Sequence, residues 1–467
     1  MKLPIITTLC SAFLVFALQM SALAQDKQPV TTTLSLKQAQ EYAIKNNVNS
    51  RNSVLDMEIA KKRIWETTAM GLPQINGQVN YTHLFTVPEM SLGGSTFLAT
   101  DLPAGTPITS DDINNQNVYM GYTPGAPIQL GVPNNTTFDI TVSQLIFSGE
   151  YIVGLQATKV YYLMTEQGKQ KTEIDLKELV ANIYAAALLT ENNLNVMQQS
   201  LESSNKTLSD MQKMYSQGLV ENTEVDQIEF VASTLKNAVS SLTRELDYTL
   251  LNLKFVLGMP FVDKIILTDK LESIAESINL EALVATPFNI NNNLDYQILI
   301  TSEKISNLNV KLAKSAFLPS ISAVYRHQEK MNSPAFDFNP KDVFQVSANI
   351  PIFSSGLRNV RVQQRKMDLQ KTINTKDNVA NGLQLQYINS LNELTAAYEK
   401  YQNDKRNIEL TKRIYDKTLI KFSEGIATSR QITDDLNQYL TAQRSLYTSI
   451  FGLFSAKNKL DKLNNNL

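Results

Sequence analysis

Histidine and cysteine, the side chains most often used as bases, nucleophiles and transition-metal ligands, are scarce, and the spacing of the candidates suits none of those tasks. The only histidines, His83 and His327, have no second metal ligand at a useful separation. Asp111 and Asp112, followed by Asn114, lack both the spacing and the glycine of a calcium loop. The single cysteine is Cys10. Trp65 on the first helix, and tyrosines recurring at helical seam positions, read as packing residues. No enzyme chemistry, cofactor or metal is expected. A formal charge of −2 and a charged fraction of 19% point to neither nucleic acid nor an anionic surface as partner.

The first residues have the form of a secretory signal. Lys2 precedes an apolar run over residues 5–20, and Ser21-Ala22-Leu23-Ala24 offers a small-residue cleavage site. Cleavage after Ala24 removes Cys10, leaving no disulfide, thiolate site or lipidated first residue. Beyond residue 24 nothing reaches the ~18 consecutive apolar residues of a spanning helix. If the chain crosses a membrane it does so as a closed β-barrel, because hydrocarbon leaves no backbone N–H or C=O unpaired. The alternative is a soluble protein of the periplasm or exterior.

The remaining order comes from duplication. Tyr215-Ser216-Gln217-Gly218-Leu219 recurs as Phe422-Ser423-Glu424-Gly425-Ile426, a shift of 207. Phe147-Ser148-Gly149 recurs as Phe353-Ser354-Ser355-Gly356 at 206 to 207, whereas Leu72-Pro73-Gln74-Ile75 recurs as Leu318-Pro319-Ser320-Ile321 at 246. The change of shift places about 40 extra residues in one loop of the first copy. That loop, residues 87–135, is dense in Gly, Pro, Asn, Thr and Asp and lacks lasting periodicity.

Segments flanking the loop alternate with a period of two, as strands with two unlike faces do. In the first, Ile75, Gly77, Val79, Tyr81, His83, Phe85 and Val87 share a face. Gln74, Asn76, Gln78, Asn80, Thr82 and Thr86 share the other, with Leu84 the exception. The returning strand sets Phe138, Ile140, Val142 and Ile146 against Asp139, Thr141 and Ser143. Copy two repeats this with Ile321, Ala323 and Tyr325, then Phe344, Val346, Ala348, Ile350 and Ile352. A membrane barrel around a wet lumen needs this pattern, and a half-buried soluble hairpin shares it.

The helices carry heptads. Val180, Ala187, Leu194, Leu201, Leu208 and Tyr215 recur every seven residues, interleaved with Ile183, Thr190, Met197, Ser204 and Met211. Beyond Gly218 a second seam runs through Val225, Ile228, Ala232, Leu235 and Val239 to Val256, and a shift of 207 reproduces both arms in copy two. No proline interrupts 149–215 or 356–422, so each run of about 65 residues predicts a helix roughly 100 Å long. Return arms of about half that length are expected at 223–257 and 430–463. Helices over about 35–71 and 289–317 supply the other half, ended by Pro73 and Pro319.

The expected class is α+β: a duplicated chain of long coiled-coil helices continuous with four strands. Four strands cannot close in lipid, where the smallest barrels have about eight, so the barrel must be shared between chains. The predicted divisions are a signal at 1–24, a first repeat at 25–260, an inter-repeat segment at 261–288 and a second repeat with its tail at 289–467.

With this duplication, the junction Pro351-Ile352-Phe353-Ser354-Ser355-Gly356-Leu357-Arg358, the two tip motifs and Leu257-Gly258, the sequence resembles the TolC-like outer membrane efflux protein family. The resemblance implies a homotrimer in the outer membrane with one twelve-stranded barrel and a helical tunnel extending through the periplasm. It implies passive export of small molecules such as drugs, delivered by an inner-membrane transporter through a periplasmic adaptor (membrane fusion) protein. A duct for type I protein secretion, or one for metal cations, fits the same resemblance. Segment 261–286 and the C-terminal tail would form a belt around the tunnel. The adaptor-contacting helix tips would be Gln217, Gly218, Leu219, Glu424, Gly425 and Ile426. An acidic periplasmic aperture would draw on Glu224, Asp434 and Asp435, with Arg430 near a gating position that Ala427 occupies; Gln431 stands where another acid is expected. For the acids, ordinary placement at a helix N-terminus is the alternative.

Overall fold

In a computed structural model of the chain, residues 30–91, 93–115, 117–285, 287–333, 337 and 339–467 are described. The expected signal segment, with Cys10, lies outside them. The first copy opens with β1 (Thr31–Leu34), α1 (Leu36–Asn46), α2 (Val48–Ala69) and β2 (Gln74–His83). An arm follows, made of β3 (Glu89–Ser91), β4 (Gly94–Thr100), α3 (Ser110–Asn114), β5 (Val118–Pro124) and β6 (Pro127–Gln129). β7 (Asn134–Ser148) then leads into α4 (Gly149–Ser216) and α5 (Asn222–Leu257). Between the copies lie β8 (Lys264–Leu267), α6 (Leu271–Glu276) and α7 (Leu280–Ala285). The second copy is α8 (Leu294–Ser315), β9 (Ser320–Lys330), β10 (Asp342–Asn349), α9 (Leu357–Ser423) and α10 (Ser429–Leu463). Among the described residues no helix is long and apolar enough to cross a membrane.

The chain divides into two compact units. One comprises Ala60–Tyr162 and Lys304–Gln370. It holds a four-stranded antiparallel sheet of order β10-β9-β7-β2, so the two hairpins are joined through their β7 and β9 strands. The ladder aligns like residues. Ile75 faces Val142, Val142 faces Tyr325 and Tyr325 faces Phe344 in one row. Asn76, Thr141, Arg326 and Val343 form the adjacent row on the opposite face. The bulge at Ile146 alters one expectation: Phe147, not Ile146, stands opposite Ile321. β2 also stops at His83 rather than Val87, and the chain regains a ladder only at β3–β6. Pro88 and Pro133 accept bonds there from Leu130 and Leu84 but have no N–H to return.

The loop at residues 87–135, expected to lack lasting periodicity, instead contains the β3–β6 and β4–β5 ladders. Cross-strand aromatics hold the β4–β5 ribbon, with Phe97 over Gly121 and Tyr122 over Gly94; a Cβ at either glycine would collide with the ring. At the strand-to-helix junction, Gly149 leaves room for Leu318, whose Cδ1 a Cβ would meet at 2.7 Å.

The other unit comprises the described residues up to Ile59, with Leu163–Glu303 and Lys371–Leu467. Its core joins the seam residues Val180, Leu253, Leu394, Leu453 and Leu460 with Leu188, Leu257 and Ile450, which lie off the expected seam. Phe288 stacks on Tyr387 with centroids 4.8 Å apart, and Tyr415 on Tyr439 at 5.9 Å. α4 and α9 run for 68 and 67 residues, matching the proline-free spans. Parallel pairing of β1 with β8 docks the N-terminal strand on the inter-repeat segment. Tyr184, fully buried on α4, places its hydroxyl 2.9 Å from both the Leu34 carbonyl and the Asp269 carboxylate. The same carboxylate oxygen accepts the Leu36 N–H at 2.6 Å. Burial pushes the Tyr184 phenol up to about 12.

The helix expected over 35–71 is broken at Asn47, for a reason that recurs in copy two. The Asn47 side chain caps α2 by accepting the Asn49 N–H at 2.8 Å, and donates to the Val256 carbonyl at the end of α5 at 2.7 Å. Asn293 accepts the Tyr296 N–H at 3.2 Å and donates to the Leu463 carbonyl at the end of α10 at 3.0 Å. Each asparagine thus starts one half-length helix and terminates another, satisfying groups that helix ends leave unpaired. Gly258 follows α5 in a left-handed conformation (φ 72°), and a Cβ there would come within 2.6 Å of the Asn46 carbonyl oxygen.

Candidate functional site

Two features could form a passage: the faces of the sheet and the tips of the helical hairpins. At the first tip the Gly218 N–H donates to Tyr215 at 2.8 Å and Leu219 N–H to Met214 at 3.0 Å. At the second, Gly425 donates to Phe422 at 2.9 Å and Ile426 to Lys421 at 2.8 Å. Both glycines are left-handed, with φ of 75° and 73°, which closes the helix ends in the paired-bond manner of a glycine C-cap. Leu219 and Ile426, exposed by 65% and 71%, project apolar surface from these tips.

The candidate aperture residues have unlike surroundings. Arg430 and Asp434 are a loose pair one turn apart, with Nε to Oδ2 at 4.0 Å and both side chains exposed. Asp435 instead accepts from the Thr418 hydroxyl at 2.6 Å, linking the arms of its own hairpin. Glu224 lies half-buried in the first turn of α5. A further link joins the two hairpins: the Ser429 hydroxyl donates to Gln227 at 2.8 Å. Sequence reasoning missed Gln227, Thr418 and Ser429, since nothing in their spacing marks uncharged side chains as bridging. Beside that link, Thr223, Asp226, Gln227, Phe230, Val231, Arg430 and Thr433 line a groove of about 540 Å³.

On the sheet, one face carries Ile75, Val79, Tyr81, Ile140, Phe344 and Val346, all exposed in the single chain. The other carries Gln74, Asn76, Gln78, Asn80, Asp139, Thr141, Arg326, Gln328 and Gln345. The outer strands β2 and β10 each pair on one side only. His83 and His327 hold the strand ends. His83 Nδ1 is 2.7 Å from the Asn134 carboxamide oxygen directly across the ladder, and Tyr81 donates to that oxygen at 3.0 Å. His327 Nδ1 and the Tyr325 hydroxyl meet Asp342 Oδ1 in the same way, each at 2.7 Å. Among the described residues no group of three His, Cys, Asp or Glu side chains could hold a metal ion.

Residues 291–463 match the family model described as outer membrane efflux protein. The chain therefore carries an outer membrane efflux protein domain on the fold of TolC-like channels, bearing out the resemblance seen in its motifs. Among solved structures, CusC has a TM-score of 0.68 at 16% identity, over 95% of each chain. VceC from Vibrio cholerae has a TM-score of 0.65 at 14% identity, over 92% of this chain and 95% of that one. The MtrE outer membrane channel of Neisseria gonorrhoeae has a TM-score of 0.65 at 15% identity, over 92% and 88%. No curated protein matches.

Proposed function

We propose that three copies of this chain form an outer-membrane export duct that passively conducts small molecules. The observation that carries this reading is a four-stranded sheet, apolar on one face and polar on the other, with both outer edges unpaired. Unpaired edges are not viable in hydrocarbon, and edge-to-edge union of three sheets gives twelve closed strands. The apolar face then meets lipid and the polar face lines the lumen. α4 and α9, each about 100 Å long, continue the wall as a water-filled helical tunnel reaching into the periplasm. The tips at Gln217–Leu219 and Glu424–Ile426 present exposed apolar ends to a periplasmic adaptor, which couples the duct to an inner-membrane pump. Glu224, Asp434 and Arg430 supply charge at the periplasmic aperture, and Asp435 braces it through Thr418.

Reconstitution in planar bilayers tests this reading. Purified protein conducts, and deletion of residues 74–87, which removes β2, abolishes conductance. Inserted, well-folded oligomers that never conduct contradict the proposal.

A further inference from the structure

The polar face of the sheet carries three ionisable side chains within its strands: Asp139, Arg326 and Lys330. Two of them are already engaged. Lys330 Nζ lies 2.8 and 2.7 Å from the two oxygens of Asp337, whose carboxyl this pairing holds below the usual range. Asp139 accepts from Gln328 at 2.7 Å, from Thr137 at 3.2 Å and from Asn80 at 3.4 Å, so its carboxylate keeps its charge but is tied to neutral donors. Arg326 differs. It stands across the ladder from Thr141 on one side and Val343 on the other. Its side chain is partly exposed and makes no ion pair with any described carboxylate.

A guanidinium in that position offers a planar fork of N–H donors matched to carboxylate and phosphate oxygens. The Asp139 carboxylate keeps its charge but is held by three neutral donors, which leaves the Arg326 fork the freer of the two to meet a solute. We propose that Arg326 is an anion-contact site within the barrel lumen, one per chain, that favours passage of solutes bearing carboxylate or phosphate groups. This inference rests on the shared-barrel reading above, in which three copies place three guanidinium groups around one lumen. Rings of basic side chains confer anion preference on pores. A unit charge about 10 Å from a passing ion in water changes its local concentration about twofold, and three act together. The effect is electrostatic, so it weakens as the screening length falls from about 10 Å at 0.1 M salt to about 3 Å at 1 M.

The test is the chloride-to-potassium permeability ratio of the reconstituted full chain, read from the reversal potential in a KCl gradient. Arg326→Gln is expected to lower the ratio at least about twofold at low salt, with a smaller change at high salt. Arg326→Lys, which keeps the charge, is expected to retain most of the preference. Thr141→Glu, which leaves Arg326 in place but sets a carboxylate opposite it, is expected to lower the ratio as well. Unchanged ratios in Arg326→Gln and Thr141→Glu channels of normal conductance overturn the assignment. A fall that Arg326→Lys reproduces in full, or that is equal at both salt concentrations, also overturns it. Absence of conductance in the unaltered protein overturns the duct reading itself.

Discussion

Replacing Tyr184 with phenylalanine removes one oxygen from the point where β1, β8 and α4 meet. The hydroxyl lies 2.9 Å from the Leu34 carbonyl and 2.9 Å from Asp269 Oδ2, with the side chain fully buried. Phenylalanine fills nearly the same volume, so no cavity of consequence forms. The hydroxyl has one proton for these two acceptors, and each keeps a backbone donor, Thr268 N–H on Leu34 at 3.2 Å and Leu36 N–H on Asp269, so the loss is that of one hydrogen bond, about 0.5–1.5 kcal/mol. Leu36 N–H still reaches Asp269 at 2.6 Å, so the strand pair loosens without detaching. That cost raises the local opening constant about 2- to 13-fold. Hydrogen exchange followed by mass spectrometry reads it directly: peptides covering Thr31–Leu34 and Lys264–Leu267 should exchange faster by that factor. The α5 seam at Val225–Leu235 should not change. Rates in both strands unchanged from the unaltered protein, or acceleration spread evenly over the chain, would refute the claim that Tyr184 fastens this strand pair to α4.

Other outcomes follow from the same contacts. Because burial lifts the Tyr184 phenol from 10.0 to about 12, the stability it supports is intact below pH 10 and declines as pH rises toward 12. An alkaline unfolding series in which Tyr184→Phe flattens that decline checks the sign. Asn47→Ala and Asn293→Ala each remove a helix cap and a donor to a terminal carbonyl, costing about 1–2 kcal/mol each. Asn→Ser at either site should recover only the cap, as resolved by thermal melting. Ala at Gly218 or Gly425 forces a side chain into a left-handed conformation at a cost of about 1–2 kcal/mol; limited proteolysis should show faster cleavage at that tip alone. Thr418→Val unties Asp435 from its hairpin and should increase leak through the reconstituted channel, whereas Asp434→Asn should alter cation block without loosening the hairpin.

The long helices were legible because their determinants are local and repeated: heptads, absence of proline, and glycines at 218 and 425 where the chain must reverse. Duplication strengthened each inference, since α4 and α9 share one pattern. The break at Asn47 was hidden because asparagine is tolerated inside helices, and only its distant partner at Val256 shows it acting as a joint. The arm was hidden for the opposite reason. Its strands are held by glycine–aromatic contacts across the ladder rather than by alternation of apolar and polar residues. At the tips, the family resemblance pointed to the acids but could not separate Asp434, exposed beside Arg430, from Asp435, tied inward to Thr418.

The most direct test of the shared barrel is cross-linking between the free edges of β2 and β10 on different chains. With Cys10, the only cysteine, replaced by serine, single cysteines are placed at Asn76, Gln78 or Asn80 together with one at Val343, Gln345 or Ser347. All six positions lie on the polar face, so an in-register pair can bridge. At least one of the nine combinations should give a covalent trimer on denaturing gels after oxidation, reversed by reductant. Membrane-inserted protein that yields only monomers in every combination, or a ladder ending at dimers, would contradict closure by three chains.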